Sequence, residues 1–226
     1  PPSLLPFVSR AEESFLAAAG SLSDAIAARC RAWLVEQREA FGRVCAASDF
    51  VSEQVSRDPQ MLLQLAELGW LDRSLAPVEM RDALSEQVAA CDSEDALALT
   101  LRRFRTRQQV RIIWRDLNRQ ANLVQTCRDL SDLADACIDQ AYQWLYLRHT
   151  QQFGVPTGGR SGEPQQMVIL GMGKLGAHEL NLSSDIDLIF AYPEGGETEG
   201  VKRSLDNQEF FIRLGQRLIK ALDVIT

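Results

Sequence analysis

The chain has 226 residues, of which 46% are hydrophobic, and this suits a packed core in one large domain or two smaller ones. With 24 Lys and Arg against 31 Asp and Glu, the formal net charge of −7 argues against general binding to nucleic acid or to anionic membranes. No apolar run approaches the roughly 20 residues that span a bilayer, and the first residues lack a signal-peptide pattern. The five cysteines have no C-x-x-C spacing. Together these features predict a cytoplasmic protein with buried, reduced thiols.

The first two thirds of the sequence have a helical pattern. Gly and Pro are sparse, and apolar residues recur at three-and-four spacing. Ser23 and Ser48 stand where N-caps are expected. We predict a helical domain over residues 1–153 without a strong strand. Its predicted helices cover residues 24–47, 49–57, 59–68, 93–118 and 129–152.

The composition changes near Gly154. Residues 154–165 are rich in Gly and Pro and are predicted to be a linker or exposed loop. A second domain over residues 154–226 follows, with a small sheet flanked by helices, so the predicted fold class is α+β. The predicted elements are a strand over 167–170 buried on both faces, a helix over 175–181, a strand over 186–192, a loop over 193–201, and a helix over 207–222 capped by Asp206.

The segment 171–190 reads GMGKLGAHELNLSSDIDLIF and allows two interpretations. Its first six residues fit G-x-G-x-x-G, the fingerprint of dinucleotide-binding folds. That fold needs a full crossover helix before the next parallel strand. Only the eight residues 177–184 separate Gly176 from Asp185, which is short for a crossover of about a dozen residues or more. The acidic residues also stand at the beginning of the second predicted strand, so the dinucleotide interpretation is disfavoured.

The second interpretation is a metal site. On a strand, Asp185 and Asp187 would project from one face. Two carboxylates about 5 Å apart repel by about 3 kcal/mol at an effective dielectric of about 20. The apolar residues around them predict a lower dielectric, which would increase this repulsion. Divalent cations reverse its sign, and Mg²⁺ is typically held by one or two carboxylates plus substrate phosphates. Two such ions can clamp the attacking and leaving oxygens of a nucleotidyl transfer.

The glycine-rich turn before the carboxylates would then bind phosphate. Gly171, Gly173 and Gly176 would let backbone N–H groups approach phosphate oxygens, and Lys174 would add a positive charge. The alternative is structural: both aspartates would face solvent on an edge strand, and the glycines would form an ordinary tight turn.

The spacing of these residues resembles the DNA polymerase β-type nucleotidyltransferase superfamily, in which a Gly-Gly or Gly-Ser turn precedes D-h-D (h apolar) by nine to thirteen residues. In this chain Lys174 replaces the second Gly or Ser. The stretch GMGKLGAHELNLSSDIDLIFAYPE further resembles the family of glutamine synthetase adenylyltransferase/adenylyl-removing enzymes. The leading Gly-Met, Glu179-Leu180-Asn181 and Ser183-Ser184 are similar to the N-terminal nucleotidyltransferase domain of that family.

This resemblance implies an enzyme that removes AMP from an adenylylated tyrosine of glutamine synthetase by phosphorolysis, releasing ADP and regulating nitrogen assimilation. Asp185 and Asp187 would be catalytic and hold Mg²⁺. The nucleotide and phosphates would lie against Gly171, Gly173, Lys174, Gly176, Ser183 and Ser184. The implied partners are glutamine synthetase, a PII-type signalling protein, ADP or ATP, and phosphate, with no nucleic acid and no membrane.

Two alternatives remain open at this point. The same site could run the forward reaction, AMP transfer from ATP to a glutamine synthetase tyrosine. The chain could also be a catalytically silent docking module for a PII-type regulator. The family's third metal-binding carboxylate is expected beyond Thr226, because Asp206 and Asp223 are poor substitutes as a predicted helix cap and a helix end. The sequence is therefore expected to be a truncated nucleotidyltransferase domain.

Arginines recur every four residues on one predicted helix, at Arg103, Arg107, Arg111 and Arg115, with Arg102 and Arg105 beside them. They would form either an anionic docking surface or a structural face paired with local acids. The surplus of acidic residues favours the structural interpretation.

Overall fold

The computed structural model describes residues 5–200 and 202–223, and these form an α+β fold as predicted. No helix in these ranges is long and apolar enough to cross a membrane. The helices are α1 Leu5–Gly20, α2 Asp24–Ala47, α3 Asp49–Arg57, α4 Pro59–Glu67, α5 Pro77–Ala89, α6 Glu94–Leu117, α7 Leu123–Phe153, α8 Gly173–Gly176 and α9 Asn207–Leu222. The strands are β1 Val155–Gly158, β2 Val168–Gly171, β3 Leu188–Ala191 and β4 Gly196–Glu199.

Local side-chain caps fix several helix starts. Ser48 accepts a hydrogen bond from the backbone N–H of Val51 at 3.3 Å and begins α3. Asp58 accepts from Met61 at 3.0 Å and begins α4, with Pro59 in the first turn, where its missing N–H costs nothing. Ser23 occupies the N-cap position of α2 without a side-chain cap bond. The short-range signals in the sequence therefore place these helices correctly.

The chain divides into two compact units. The first contains the described residues up to Leu75 together with Thr106–Asp129. Its core is apolar and partly aromatic: the Phe15 and Phe41 rings lie 5.2 Å apart between centroids, and the Trp33 and Trp114 rings lie 5.6 Å apart. Edge-to-face and tilted ring pairs add stabilisation beyond the area that they bury.

Two of the regularly spaced arginines are buried structural residues in this first unit. Arg111 is fully buried and Arg115 nearly so, and both donate to the same carboxylate oxygen of Asp129 at 3.1 Å. Burial lowers the pKa of Arg111, and Asp129 opposes that shift. Arg107 lies over the Trp70 ring at 5.4 Å. The structural interpretation therefore holds for Arg107, Arg111 and Arg115.

The second unit contains Ala76–Arg105 and the described residues from Leu130 onwards. It holds two antiparallel pairs of strands, β1 with β4 and β2 with β3. Val168 faces Ala191 and Gly171 faces Leu188, so β2 and β3 pair over their whole length. Helix α9 contacts β1 and β4. Its buried apolar residues include Phe210, Phe211, Leu214 and Leu218.

Three predictions for this unit are wrong in detail. The segment 154–165, predicted to be a linker, contains β1, and the loop predicted over 193–201 contains β4; the two strands pair with each other. Strand β2 is not buried on both faces, because Val168 and Leu170 are each about half exposed. The domain boundary between residues 153 and 154 stays a prediction, and the two compact units are not divided there.

Candidate active site

The glycine-rich turn follows β2 directly and has two positions that need glycine. Gly173 has a φ of 54°, in the left-handed region that side chains disfavour. At Gly176, an added Cβ would lie 2.4 Å from the carbonyl oxygen of Gly171. The helix predicted over 175–181 is wrong in extent, because α8 ends at Gly176 after a single turn. The turn is therefore compact, but it offers no extended helix N-terminus for an anion.

The two aspartates lie just before strand β3 and not on it. The strand predicted over 186–192 begins at Leu188, so Asp185 and Asp187 belong to the extended segment that leads into it. The backbone N–H of Met172 donates to the carbonyl oxygen of Asp187 at 2.9 Å, which continues the β2–β3 pairing by one bond. Both side chains are exposed to solvent. The low-dielectric surroundings expected from the sequence are therefore wrong for these two side chains, because both are open to water.

Asn181 orders the turn between the glycines and the aspartates. Its Oδ1 accepts hydrogen bonds from the Ser183 backbone N–H and hydroxyl at 3.1 Å each, and from the Ser184 hydroxyl at 2.7 Å. Lys174 Nζ lies 3.2 Å from the Ser184 Oγ. A single asparagine therefore holds both serines beside the lysine. Sequence reasoning did not assign Asn181 to the site, although polar residues at offsets of two and three are typical of an Asx turn.

The same turn is anchored to helix α7. The buried backbone N–H of Leu180 donates to the hydroxyl of Ser131 at 3.2 Å, and the Leu180 side chain is itself buried. Satisfying a buried N–H avoids a cost of about 1–3 kcal/mol. The position of the serines and aspartates is thus fixed by a helix as well as by the sheet.

A cavity of about 600 Å³ lies beside the aspartates. Ser184, Asp185 and Asp187 form one side of it, Arg105 of α6 contributes a cation, and the end of α9 contributes Asp223. Its volume is in the range of pockets that hold nucleotide-sized ligands. Apolar parts of its wall come from Ile186, Leu188, Phe190, Ile219 and Leu222.

The sequence-predicted site residues are only partly brought together. Gly173, Lys174, Gly176 and Ser183 do not line this cavity, although Lys174 reaches Ser184. Gly171 lines a separate cavity of about 390 Å³. The sequence did not indicate Arg105 as a cavity residue, because Arg105 is not part of the series of arginines at four-residue spacing. Asp206 caps α9 at 2.7 Å, as predicted.

Two groups of side chains have donors that suit a metal ion. The aspartates of the 600 Å³ cavity supply only carboxylate oxygens and are open to water, a combination that fits Mg²⁺. Elsewhere in the second unit, Asp132, Asp135 and His178 place ligand atoms within 4.8 Å of one another. Burial raises the pKa of Asp135, and the nearby His178 opposes that rise. An imidazole among the donors makes this group better suited to a transition metal than to Mg²⁺.

The family model described as glutamate-ammonia ligase adenylyltransferase matches residues 38–226. Proteins named bifunctional glutamine synthetase adenylyltransferase/adenylyl-removing enzyme match the whole chain. They include those of Pseudomonas syringae pv. tomato at 66% identity, Pseudomonas aeruginosa at 64% and Pseudomonas putida at 60%.

The matched region is a limited part of those relatives. The chain is covered completely in each of the three comparisons but spans 23% of the relative's own length. The family match covers most of the chain, and it includes both the glycine turn and the aspartate pair. The chain therefore belongs to the glutamate-ammonia ligase adenylyltransferase family.

Proposed function

We propose that this chain carries the site that removes AMP from adenylylated glutamine synthetase by phosphorolysis, with ADP and the free tyrosine as products. The observation that supports it best is the cavity in which Asp185, Asp187 and Ser184 meet a cation, Arg105. The names of the relatives include an adenylyl-removing activity. Since the chain spans only 23% of those relatives, the activity, its substrate and its partners are all part of the proposal.

The bonds that change are few. A phosphate oxygen forms a bond to the AMP phosphorus, and the bond from that phosphorus to the tyrosine oxygen breaks. The proton of hydrogen phosphate passes to the tyrosine oxygen, so charge and atoms balance. Asp185 and Asp187 would hold Mg²⁺, and the chemistry it would supply is charge stabilisation of the phosphate oxygens. Positioning and charge therefore contribute more than general-base chemistry.

The residues of the turn have separate tasks in this proposal. Lys174, held at 3.2 Å from Ser184, supplies a positive charge beside the phosphates. Ser183 and Ser184, whose hydroxyl groups donate to Asn181, border the phosphates. Gly171, Gly173 and Gly176 keep the turn small enough for the backbone to approach the nucleotide. On the same resemblance we propose a PII-type signalling protein as regulator and the cytoplasm as location.

The forward reaction is the second candidate, because the relatives' names also include adenylyltransferase activity. It would use the same aspartates and Mg²⁺ but would transfer AMP from ATP to the tyrosine. The two directions are distinguished by the nucleotide, because phosphorolysis makes ADP and the forward reaction consumes ATP.

The test follows ADP release from adenylylated glutamine synthetase with phosphate and Mg²⁺. It uses this chain and, beside it, the complete gene product that contains these 226 residues. The proposal expects ADP from the wild type and a loss of at least about 10³-fold in the double variant Asp185→Asn/Asp187→Asn, since removal of a preorganised electrostatic group costs about 10²–10³-fold.

The matched control is Asp72→Asn, an exposed aspartate in the first unit, which should leave the rate unchanged. AMP transfer from ATP without ADP formation from phosphate would favour the forward reaction. A folded wild type with neither reaction would overturn both and favour a docking module for a PII-type protein.

A further inference from the structure

Arg105 differs from the other arginines of α6 in what surrounds it. Arg111 and Arg115 are committed to Asp129, and Arg107 lies over Trp70. Arg105 instead lines the cavity that contains Asp185 and Asp187. Arg105 stands six positions before Arg111, the first buried arginine of the regular series, and therefore lies on a different face of the same helix.

The guanidinium of Arg105 has capacity for a ligand. Nη1 lies at the limit of hydrogen bonding to the carbonyl oxygen of Leu222, at 3.5 Å. Among residues 5–200 and 202–223 no carboxylate comes within ion-pair distance of Arg105. The side chain is half-buried, so part of its hydration is lost, and the long bond to Leu222 replaces only some of it. An anion in the cavity would supply the missing counter-charge.

The other charged residues that line the cavity are negative, so an anionic ligand needs this cation. Asp185, Asp187 and Asp223 are all acidic and would repel a free phosphate dianion. Asp185 and Asp187 would hold Mg²⁺, whose charge would attract one side of a phosphate group, whereas the opposite side needs a donor of its own. Arginine fits this task because its planar fork binds two phosphate oxygens at once.

We infer that Arg105 binds the attacking inorganic phosphate and thereby favours phosphorolysis. The inference rests on the proposed function and adds to it the residue that recognises the second substrate. Arg105 holds oxygens of the phosphate in the cavity that Asp185 and Asp187 also line. Another oxygen of the same phosphate is then free to form the bond to the AMP phosphorus.

The test measures steady-state kinetics with the complete gene product, varying phosphate and adenylylated glutamine synthetase separately. Arg105→Gln should raise the KM for phosphate at least about tenfold, because a charge-assisted hydrogen-bond pair is lost. The KM for the adenylylated protein should stay the same. Arg105→Lys keeps the charge but loses the fork, and it should fall between the wild type and Arg105→Gln. Arg103→Gln, an exposed arginine of the same helix, is the matched control and should not change either constant.

Three results would overturn the inference. One is an unchanged KM for phosphate in a folded Arg105→Gln variant with the wild-type melting temperature. Another is a rise in the KM for the adenylylated protein instead, which would place the AMP phosphate against Arg105. The third is a wild type that releases no ADP from phosphate, which removes the proposed function as well. The first two leave the proposed function standing, so the two failures are distinguishable.

Discussion

The buried pair of arginines in the first unit gives a sharp prediction about stability. Asp129 is 4% exposed, Arg115 3% and Arg111 0%, and the single carboxylate accepts from both guanidinium groups at 3.1 Å. Each hydrogen bond to a charged group contributes about 1.5–3 kcal/mol. Removing one partner of a buried ion pair costs about 3–5 kcal/mol, since the remaining charge is left without compensation. Asp129→Asn should therefore lower the free energy of unfolding by at least about 3 kcal/mol.

The assay is urea unfolding followed by tryptophan fluorescence, for which the buried Trp114 is a reporter, because it lies on α6 with Arg111 and Arg115. Glu39→Gln is the control, because it removes an exposed pair with Arg43 and should cost less than about 0.5 kcal/mol. A change in Asp129→Asn within about 1 kcal/mol of wild type would refute the reasoning. It would mean that the remaining acceptors, such as Gln108 for Arg111, already compensate the two cations.

Two further predictions concern the second unit. Burial, with Arg217 next in importance, lowers the pKa of His149 from 6.5 to about 4. The folded state favours the neutral imidazole. Its contribution to the free energy of unfolding is therefore complete above the unfolded pKa and is lost as pH falls from 6.5 towards 4. The loss in the free energy of unfolding is about 3 kcal/mol. In urea titrations at pH 6.5 and pH 4, His149→Gln should therefore lose about 3 kcal/mol less than the wild type between the two pH values. An equal pH dependence of the two proteins would contradict the lowered pKa of His149. Gly176→Ala should cost about 1–3 kcal/mol in thermal unfolding, because its Cβ would meet the Gly171 carbonyl oxygen at 2.4 Å. The control Gly195→Ala has open space around the added Cβ and should be nearly neutral. Equal effects of the two substitutions would show that the turn relaxes freely.

The sequence predicts those parts of the fold that depend on neighbouring residues. Ser48 and Asp206 cap helices within three residues of themselves, and such signals can be read directly. The buried apolar residues of α9, namely Phe210, Phe211, Leu214 and Leu218, recur at helical spacing, and this pattern can also be read from neighbouring residues.

Long-range pairing could not be predicted in the same way. Strands β1 and β4 are four residues each and lie about forty residues apart in the chain, in segments rich in Gly, Pro and Glu. The start of β3 was misplaced because an apolar residue between two aspartates resembles a strand, while hydrogen bonding to β2 decides where the strand begins. Element boundaries of this kind depend on a partner that the local sequence does not contain.

The candidate site likewise contains residues that are adjacent in sequence and residues that only packing brings together. The aspartates, the serines and the glycine turn are adjacent in sequence, and their motif spacing indicates them. Arg105 and Asp223 reach the same cavity only through the packing of α6 and α9. Nothing in the spacing of the arginines distinguishes Arg105 from its neighbours, so its place at the site had to come from the structure.

The central claim is that Asp185 and Asp187 support attack of inorganic phosphate on the AMP phosphorus. The most direct measurement uses radiolabelled phosphate with adenylylated glutamine synthetase and the complete gene product. We expect the label in the β-phosphate of ADP with the wild type and none with Asp185→Asn/Asp187→Asn. Labelled ADP formed equally by the double variant would contradict the role of the two aspartates. Release of unlabelled AMP by the wild type would show hydrolysis in place of phosphorolysis.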